Sequence, residues 1–173
     1  MNSRKIVVYF DMDGVLAKWK TAEIHVMQTP GYFLNLELEI GVRDAILELT
    51  KNGVECRVLS AVWNDAFAQE KAMWLKNYGL GDIHAIFVPC KVNKGDYITS
   101  NNDDINVLID DYSWNLFNWE ETKKHGEFIA IKFMNSINGT TGKWKGRRIY
   151  NGSGVEIANE IQTHLNSLVP ELV

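Results

Sequence analysis

Residues 6–14 read IVVYFDMDG, a short apolar run that ends abruptly in two aspartates and a glycine. The β-branched and aromatic residues from Ile6 to Phe10 are typical of a strand that is buried on both faces, as the strands of parallel sheets are. We therefore predict that this strand lies at the centre of a parallel sheet. The acidic residues that follow it would then lie at the carboxyl edge of that sheet.

Strands and helices are predicted to alternate along the rest of the chain. Short apolar runs predict further strands, and apolar residues at helical spacing predict helices between and after them. The predicted strands are Glu55–Ser60, Ala85–Val88, Ile105–Ile109 and Phe128–Phe133, and the predicted helices are Arg43–Lys51, Ala66–Tyr78, Trp114–Lys124 and Val155–Leu168. This order favours an α/β fold, a three-layer sandwich with a mainly parallel sheet. The glycine-containing segment Asn135–Gly146 is predicted to be a loop.

Polar side chains stand where three of the predicted strands end. Asp11 and Asp13 follow the first strand, Ser60 closes the second, and Asp110 and Asp111 follow Ile105–Ile109. In open α/β sheets, reactive groups gather outside the carboxyl ends of the strands, so we expect these side chains to meet. Hydrolysis of a phosphate monoester needs a nucleophile, a neutralising cation and a proton for the leaving oxygen. The residues at these strand ends could supply such a site.

Each of these side chains suits one part of that reaction. Asp11 and Asp110 offer the oxygen ligands that Mg²⁺ prefers, and Asp13 lies in the turn, where it could act as general acid and then as general base. The hydroxyl of Ser60 could hold a phosphoryl oxygen. A lysine from the stretch between Lys91 and Lys94 could complete the charge balance.

The chain carries four motifs in sequence: DMDGVLA at residues 11–17, Ser60 after a strand, a lysine ahead of a predicted helix, and LIDD at residues 108–111. Together they resemble the four motifs of the haloacid dehalogenase-like phosphatases, in their usual order. Within that superfamily the opening motif and the stretch Tyr32–Glu37 resemble the cytosolic 5′(3′)-deoxyribonucleotidases. The resemblance covers roughly residues 5–135. It implies the same α/β fold and a phosphomonoester hydrolase.

The resemblance also implies roles for the catalytic and phosphate-binding residues. Asp11 would form a phospho-aspartate, and Asp13 would protonate the leaving group and then activate water. Ser60 and Lys94 would hold the phosphate. We favour Lys94 over Lys91 because the residues that follow Lys94 resemble the start of the family's next helix.

A magnesium ion is the cofactor that the resemblance implies. Its ligands would be Asp11, the backbone carbonyl of Asp13, and Asp110. Asp111 would support these ligands without itself binding the metal ion.

The cap that covers the substrate in this family is expected to be short here. Only residues 17–30 separate Leu16 from Gly31, so we place a small cap insertion around residues 17–40 of a single domain. Because the second motif reads LSAVW, the chain resembles a microbial or phage branch of the family. Tyr32, Phe33 and Trp63 could stack on a nucleobase. The leading substrate is a deoxyribonucleoside 5′-monophosphate, with sugar phosphates or other small metabolites as the alternative.

The composition favours one domain that acts on a small molecule. The chain has 173 residues, of which 46% are hydrophobic, and a formal net charge of −4. An acidic protein lacks the general field that binds nucleic acid, and an anionic substrate needs a local positive site. Cys56 and Cys90 show no paired spacing, which argues against disulfides and structural zinc. The short apolar run near the N-terminus predicts neither a signal peptide nor a membrane span, so we expect a cytoplasmic protein.

One basic segment leaves open the alternative that the chain is a nucleic-acid-binding module. Residues 143–148 read KWKGRR and combine cationic side chains with an aromatic ring, as single-stranded nucleic-acid-binding modules do. Because the cap is small, we also expect either a second subunit of a homo-oligomer or the segment Asn135–Arg148 to cover part of the site.

Overall fold

The computed structural model describes residues 4–21, 23–138 and 143–168. Within these ranges six strands form one sheet, namely β1 (Ile6–Phe10), β2 (Glu55–Val62), β3 (Ala85–Pro89), β4 (Ile105–Asp110), β5 (Glu127–Met134) and β6 (Arg147–Tyr150). Their order across the sheet is β3-β2-β1-β4-β5-β6, and every neighbouring pair is parallel. The predicted parallel sheet with β1 near its centre is confirmed.

Helices cover both faces of this sheet. The described α-helices are α1 (Ile24–Met27), α2 (Ile40–Lys51), α3 (Asp65–Asn77), α4 (Ser113–Glu120) and α5 (Gly154–Leu168). Successive strand residues point to opposite faces. Accordingly, Val8 and Phe10 share a core with α2, α3 and α5, whereas Val7 and Tyr9 pack with α4. The three-layer α/β sandwich expected from the sequence is therefore confirmed.

The strand order places a crevice between β1 and β4. The chain proceeds from β1 outward through β2 and β3, and then returns to the other side of β1 for β4, β5 and β6. Ligands of open α/β sheets bind at such a switch point, outside the carboxyl ends of the strands. Phe10 pairs with Ile109, and the amide of Asp11 donates to the carbonyl of Ile109 over 2.9 Å. The register thus sets Asp11 and Asp110 side by side at the crevice.

The insertion after β1 leaves the body of the fold and returns to it at one place. The amide of Lys18 donates to the carbonyl of Glu37, and the amide of Glu39 donates to the carbonyl of Leu16, each over 2.8 Å. Between these bonds lie α1 and a 3₁₀ turn at Phe33–Asn35. This segment is anchored on α3.

Side-chain contacts fix that anchor. The carboxylate of Glu70 in α3 accepts from the amides of Gly31 and Phe33, over 2.6 and 3.3 Å. The indole of Trp74 donates to the carbonyl of Leu36 over 2.9 Å. The insertion therefore holds a defined position beside the crevice.

Strand β6 is the strand that the sequence reasoning missed. A loop was expected for Asn135–Gly146, of which residues 139–142 lie outside the described ranges, and β6 starts directly after it. The strand is four residues long and joins the sheet through its backbone, from Ile131 beside Arg147 to Met134 beside Tyr150. A short edge strand buries few side chains, so β6 can be polar and lacks the apolar run by which the other strands were predicted.

Some predicted boundaries were also wrong. Strand β2 continues to Val62, so Ser60 lies inside the strand and not after it. The helix expected over Trp114–Lys124 ends at Glu120. The residues after Lys94, which resemble the start of a family helix, form part of a single 3₁₀ turn, Lys94–Tyr97.

None of the helices in the described residues combines the length and the apolar character that crossing a membrane requires.

Candidate active site

Lys94 bridges two carboxylates at the carboxyl ends of β1 and β4. Its Nζ lies 2.8 Å from Oδ1 of Asp11 and 2.7 Å from Oδ2 of Asp110. All three side chains are buried. The two carboxylates hold the pKa of Lys94 well above its ordinary value although burial opposes this, so the side chain is an ammonium ion.

Asp110 is held by its neighbours as well as by Lys94. The backbone amide of Tyr112 donates to its Oδ1 over 2.8 Å, and Nδ2 of Asn115 donates to its Oδ2 over 2.8 Å. Both donors come from the start of α4, which follows β4 directly. The carboxylate thus has a fixed orientation in the crevice.

Asp111 faces the same crevice from the other side. Its Oδ2 accepts from the indole Nε1 of Trp19 over 2.7 Å and from Nδ2 of Asn135 over 2.9 Å. Burial raises the pKa of Asp111 to about 7, and the charges of Asp110 and Asp11 add to the rise. The hydrogen bonds from Trp19 and Asn135 act in the opposite direction.

The turn after β1 fits closely around Asp111. Gly14 has a φ of +81°, and a Cβ at this position would lie 2.2 Å from both Oδ2 of Asp111 and Nε1 of Trp19. The carbonyl of Gly14 also accepts from Nδ2 of Asn135 over 2.8 Å. Only glycine satisfies both the backbone angle and the space, which explains its place in the DMDG motif.

Three carboxylates in this crevice could hold a metal ion. Asp11, Asp110 and Asp111 each present an oxygen, and these atoms lie within 4.8 Å of one another. Oxygen ligands of this kind suit a hard divalent cation such as Mg²⁺. Burial raises the pKa of Asp111 most, and the charges of Asp110 and Asp11 add to the rise; a bound cation would relieve that repulsion. The residues therefore fit the ion that the sequence suggests, and Asp111 belongs to the same group of carboxylates as the expected ligands Asp11 and Asp110.

Asp13 is paired with a lysine that the sequence reasoning missed. Nζ of Lys71 lies 2.5 Å from Oδ2 of Asp13. The other carboxylate oxygen, Oδ1, is buried and has no hydrogen-bond partner among the described residues. Burial raises the pKa of Asp13 above its ordinary value, although the Lys71 ammonium lowers it. One oxygen of this carboxylate is therefore anchored, and the other is unpaired.

Lys71 also contacts the end of β2. Its Nζ donates to Oγ of Ser60 and to the carbonyl of Ala61, each over 2.9 Å. Because the Ser60 oxygen accepts this bond, the hydroxyl proton of Ser60 is free to be donated elsewhere. A signal for Lys71 exists in the sequence, since it lies four residues after Phe67 and three before Trp74, on the buried face of α3.

Family models, curated proteins and solved structures were compared, and none matches this chain. What the site can do therefore has to be judged from its own geometry.

The structure separates the two candidate lysines. Lys94 is buried against Asp11 and Asp110, whereas Lys91 is exposed. Lys91 has a φ of +65°, which is unusual for a residue with a side chain. Lys94 is the lysine that the fold brings to the aspartates.

The aromatic residues proposed for base stacking differ in accessibility. Tyr32 and Phe33 are buried, and Phe33 packs edge-on against Phe67 and lies under the Lys71 ammonium, 4.5 Å from ring centroid to Nζ. The structure therefore does not support Tyr32 and Phe33 as stacking groups. Trp63 is 37% exposed and retains an accessible ring.

The basic segment does not present its aromatic ring to solvent. Trp144 is 2% exposed, its indole donates to the carbonyl of Arg147, and its ring packs against Phe117. A buried ring cannot stack on a base, so Trp144 does not support the hypothesis that this segment binds single-stranded nucleic acid.

The segment expected to cover the site does touch it at its first residue. Asn135 bonds both Gly14 and Asp111, as described above. Residues 139–142 lie outside the described part of the chain, and coverage by a second subunit stays a prediction.

Proposed function

We propose that this chain is a magnesium-dependent phosphomonoester hydrolase of the haloacid dehalogenase type. The observation that supports it best is the arrangement of two aspartates of one motif. Asp11 lies against Asp110 and Lys94, and Asp13 is anchored through one oxygen with the other unpaired. A carboxylate nucleophile and a nearby carboxyl group that can donate a proton are able to carry out stepwise transfer of a phosphoryl group.

In the first step, an oxygen of Asp11 attacks phosphorus and the bond from phosphorus to the ester oxygen breaks. The leaving oxygen takes a proton from Oδ1 of Asp13, which carries that proton in the substrate complex and is the carboxylate partner of Lys71 in the free protein. The raised pKa of Asp13 favours the protonated form that this step needs. The product is a phospho-aspartate on Asp11 and a free alcohol.

In the second step, water attacks the phosphorus of the phospho-aspartate. Asp13, now a carboxylate, takes the proton from that water, and the bond from phosphorus to the Asp11 oxygen breaks. Inorganic phosphate leaves, and both aspartates return to their starting states. The Lys94 ammonium, 2.8 Å from Oδ1 of Asp11, would neutralise charge on the transferred group in both steps.

The proposed metal ion would be held by Asp11 and Asp110, with the carbonyl of Asp13 as a further ligand from the family pattern. Asp111 is close enough to join or to support them. When bound, the ion supplies positive charge that neutralises the phosphate dianion.

The proposed substrate is a deoxyribonucleoside 5′-monophosphate. Sugar phosphates and other small phosphate monoesters are the alternative within the same chemistry. The crevice at the β1 and β4 ends is the common binding place for both.

The test is release of inorganic phosphate from a panel of nucleoside monophosphates and sugar phosphates, with Mg²⁺ and with a chelator. We expect release that the chelator stops and that the Asp11→Asn variant lacks. Borohydride trapping during turnover should convert Asp11 to homoserine, which mass spectrometry of the peptide detects. Phosphate release that persists in Asp11→Asn would overturn the mechanism, and no release from any substrate would overturn the activity.

A further inference from the structure

A cavity adjoins the candidate active site on the side of β2 and α4. It has a volume of about 430 Å³ and is lined by Ala61, Cys90, Lys91, Tyr112, Trp114 and Asn115. Cavities that bind drug-sized molecules range from about 300 to about 1,000 Å³. This cavity is large enough for the organic part of a small phosphate monoester.

Two residues that line the cavity contact residues of the candidate active site. Ala61 directly follows Ser60 in β2, and its carbonyl accepts from Lys71, the lysine that anchors Asp13. Asn115 donates its side-chain amide to Asp110. The cavity therefore adjoins the place beside Asp11 and Asp110 where the proposed phosphate would lie.

Two aromatic side chains line the cavity and remain exposed. Tyr112 is 60% exposed and Trp114 is 41% exposed, although both follow closely after the buried strand β4. Large rings that stay exposed next to a reaction centre can offer their faces to a ligand. A planar aromatic group would gain most from such faces.

The charge of the lining fits a ligand that carries phosphate. Lys91 contributes an ammonium group, and none of the described residues that line the cavity is acidic. Lys91 also holds a φ of +65°, a backbone conformation that side-chain-bearing residues avoid and that recurs at ligand sites.

The cavity on the opposite side of the crevice is a poorer fit. It lies between Lys18, Trp19, Lys20, Asn35 and Glu37 and has a volume of about 180 Å³. An ion pair of 3.4 Å between Lys18 and Glu37 crosses it. This volume is below the range of about 300 to 1,000 Å³ for cavities that hold drug-sized molecules.

We infer that the cavity beside Tyr112 and Trp114 receives the leaving alcohol of the substrate and selects alcohols that carry a planar aromatic ring, such as a nucleobase. The inference rests on the proposed phosphatase activity and assigns its specificity to α4 and not to the insertion after β1.

The test compares two substrates that differ only in the base, a deoxyribonucleoside 5′-monophosphate and deoxyribose 5-phosphate. The measured quantity is the ratio of their kcat/KM values. Stacking of one base on one aromatic ring is worth a factor of about 5 to about 150. We expect the wild-type ratio to lie in that range and to fall towards one in Trp114→Leu and in Tyr112→Leu. Tyr150→Leu, which removes an exposed ring from β6, is the control and should leave the ratio unchanged.

Each outcome decides between the two proposals. Phosphate release with the same ratio in wild type, Trp114→Leu and Tyr112→Leu would overturn the cavity assignment and leave the hydrolase in place. A ratio that falls only in Trp63→Leu would move the base to the side of the insertion. Absence of release from both substrates would overturn the proposed function, and the cavity assignment with it.

A second measurement covers the case in which a variant does not fold. The free nucleoside, without phosphate, should inhibit hydrolysis of deoxyribose 5-phosphate by the wild-type protein competitively. Failure of the nucleoside to inhibit at concentrations far above the nucleotide KM would contradict the assignment without any substitution.

Discussion

Nζ of Lys71 lies 2.5 Å from Oδ2 of Asp13 and is fully buried in α3. Its remaining two protons go to Ser60 and to the carbonyl of Ala61, so all the donors of this ammonium are used. A charge that is removed from water in this way is stable only while its carboxylate partner stays in place. The pair therefore links the position of Asp13 to the packing of a helix.

Replacing Lys71 with methionine should destabilise the fold. The substitution preserves the length and apolar stem of the side chain but leaves Asp13 and the Ala61 carbonyl without their donor. Breaking a buried ion pair by removing one partner costs about 3 to 5 kcal/mol. We expect a loss near the lower end, about 3 kcal/mol, because the Asp13 side chain remains 19% exposed. Urea denaturation measures it.

Two variants serve as controls for this prediction. Lys76→Met changes an exposed lysine of the same helix and should alter the unfolding free energy by less than about 0.5 kcal/mol. Adding Asp13→Asn to Lys71→Met should recover part of the loss, since the unpaired charge is gone. Strictly additive losses in the double variant would argue that the two groups do not interact.

Gly14→Ala should be far more harmful than another glycine replacement at a similar backbone angle. A Cβ at Gly14 would lie 2.2 Å from Oδ2 of Asp111, whereas one at Gly53, with a φ of +86°, meets no atom within 4 Å. Gly53→Ala therefore carries only the backbone cost, about 1 kcal/mol. Thermal unfolding of both variants separates the cost of the steric clash at position 14 from the cost of a positive φ. Equal losses would mean that the turn around Asp111 is looser than described.

The sequence predicts most of the fold because the sheet consists of apolar runs. Ile6 to Phe10 and Ile105 to Ile109 are recognisable as buried strands, and their carboxyl ends must meet in a parallel sheet. Asp11 and Asp110 are adjacent for that reason. The edge strand Arg147–Tyr150 is not predicted because backbone pairing with β5, and not its own composition, holds it in an extended conformation.

The site is less predictable where it depends on packing. Lys71 reads as a surface charge unless its helical face is traced, and only tertiary structure shows that it reaches Asp13. Tyr32 and Phe33 are buried because α3 binds the insertion, which the sequence does not reveal. Tyr112 and Trp114 become candidates for substrate contact only because the structure shows that they line a cavity.

Magnesium should stabilise the protein against heat independently of any reaction. A ligand that binds only the folded chain adds about 2.7 kcal/mol at a hundred times its dissociation constant. We expect Mg²⁺ to raise the Tm of the wild-type protein, and a chelator to reverse this, because the ion relieves repulsion among Asp11, Asp110 and Asp111. Differential scanning fluorimetry across a magnesium titration measures the shift.

Matched substitutions identify the site of that effect. Asp110→Asn should abolish the magnesium-dependent shift, since it removes a buried ligand from the group. Asp82→Asn removes an exposed carboxylate elsewhere and should preserve it. An equal shift in wild type and Asp110→Asn would place the bound ion outside this crevice.

Stability at alkaline pH should depend on Tyr9. Burial raises the pKa of Tyr9 to about 12 from its ordinary value of 10.0. Between these values the unfolded chain loses the phenol proton and the folded chain keeps it, so the free energy of unfolding falls as pH rises from about 10 to about 12. Tyr9→Phe should show a shallower fall over this window, measured by urea denaturation. The hydroxyl has no partner in the described part of the chain, so the variant should be at least as stable near neutrality.

The acid role of Asp13 can be separated from a structural one by varying the leaving group. An alkyl phosphate needs a proton on its leaving oxygen, whereas p-nitrophenolate departs without one. Asp13→Asn should therefore lower kcat/KM for an alkyl phosphate by about 100-fold or more and for p-nitrophenyl phosphate much less. Asp11→Asn removes the nucleophile and should abolish turnover of both substrates. Equal losses on both substrates in Asp13→Asn would assign Asp13 to positioning, because a displaced site slows every substrate alike.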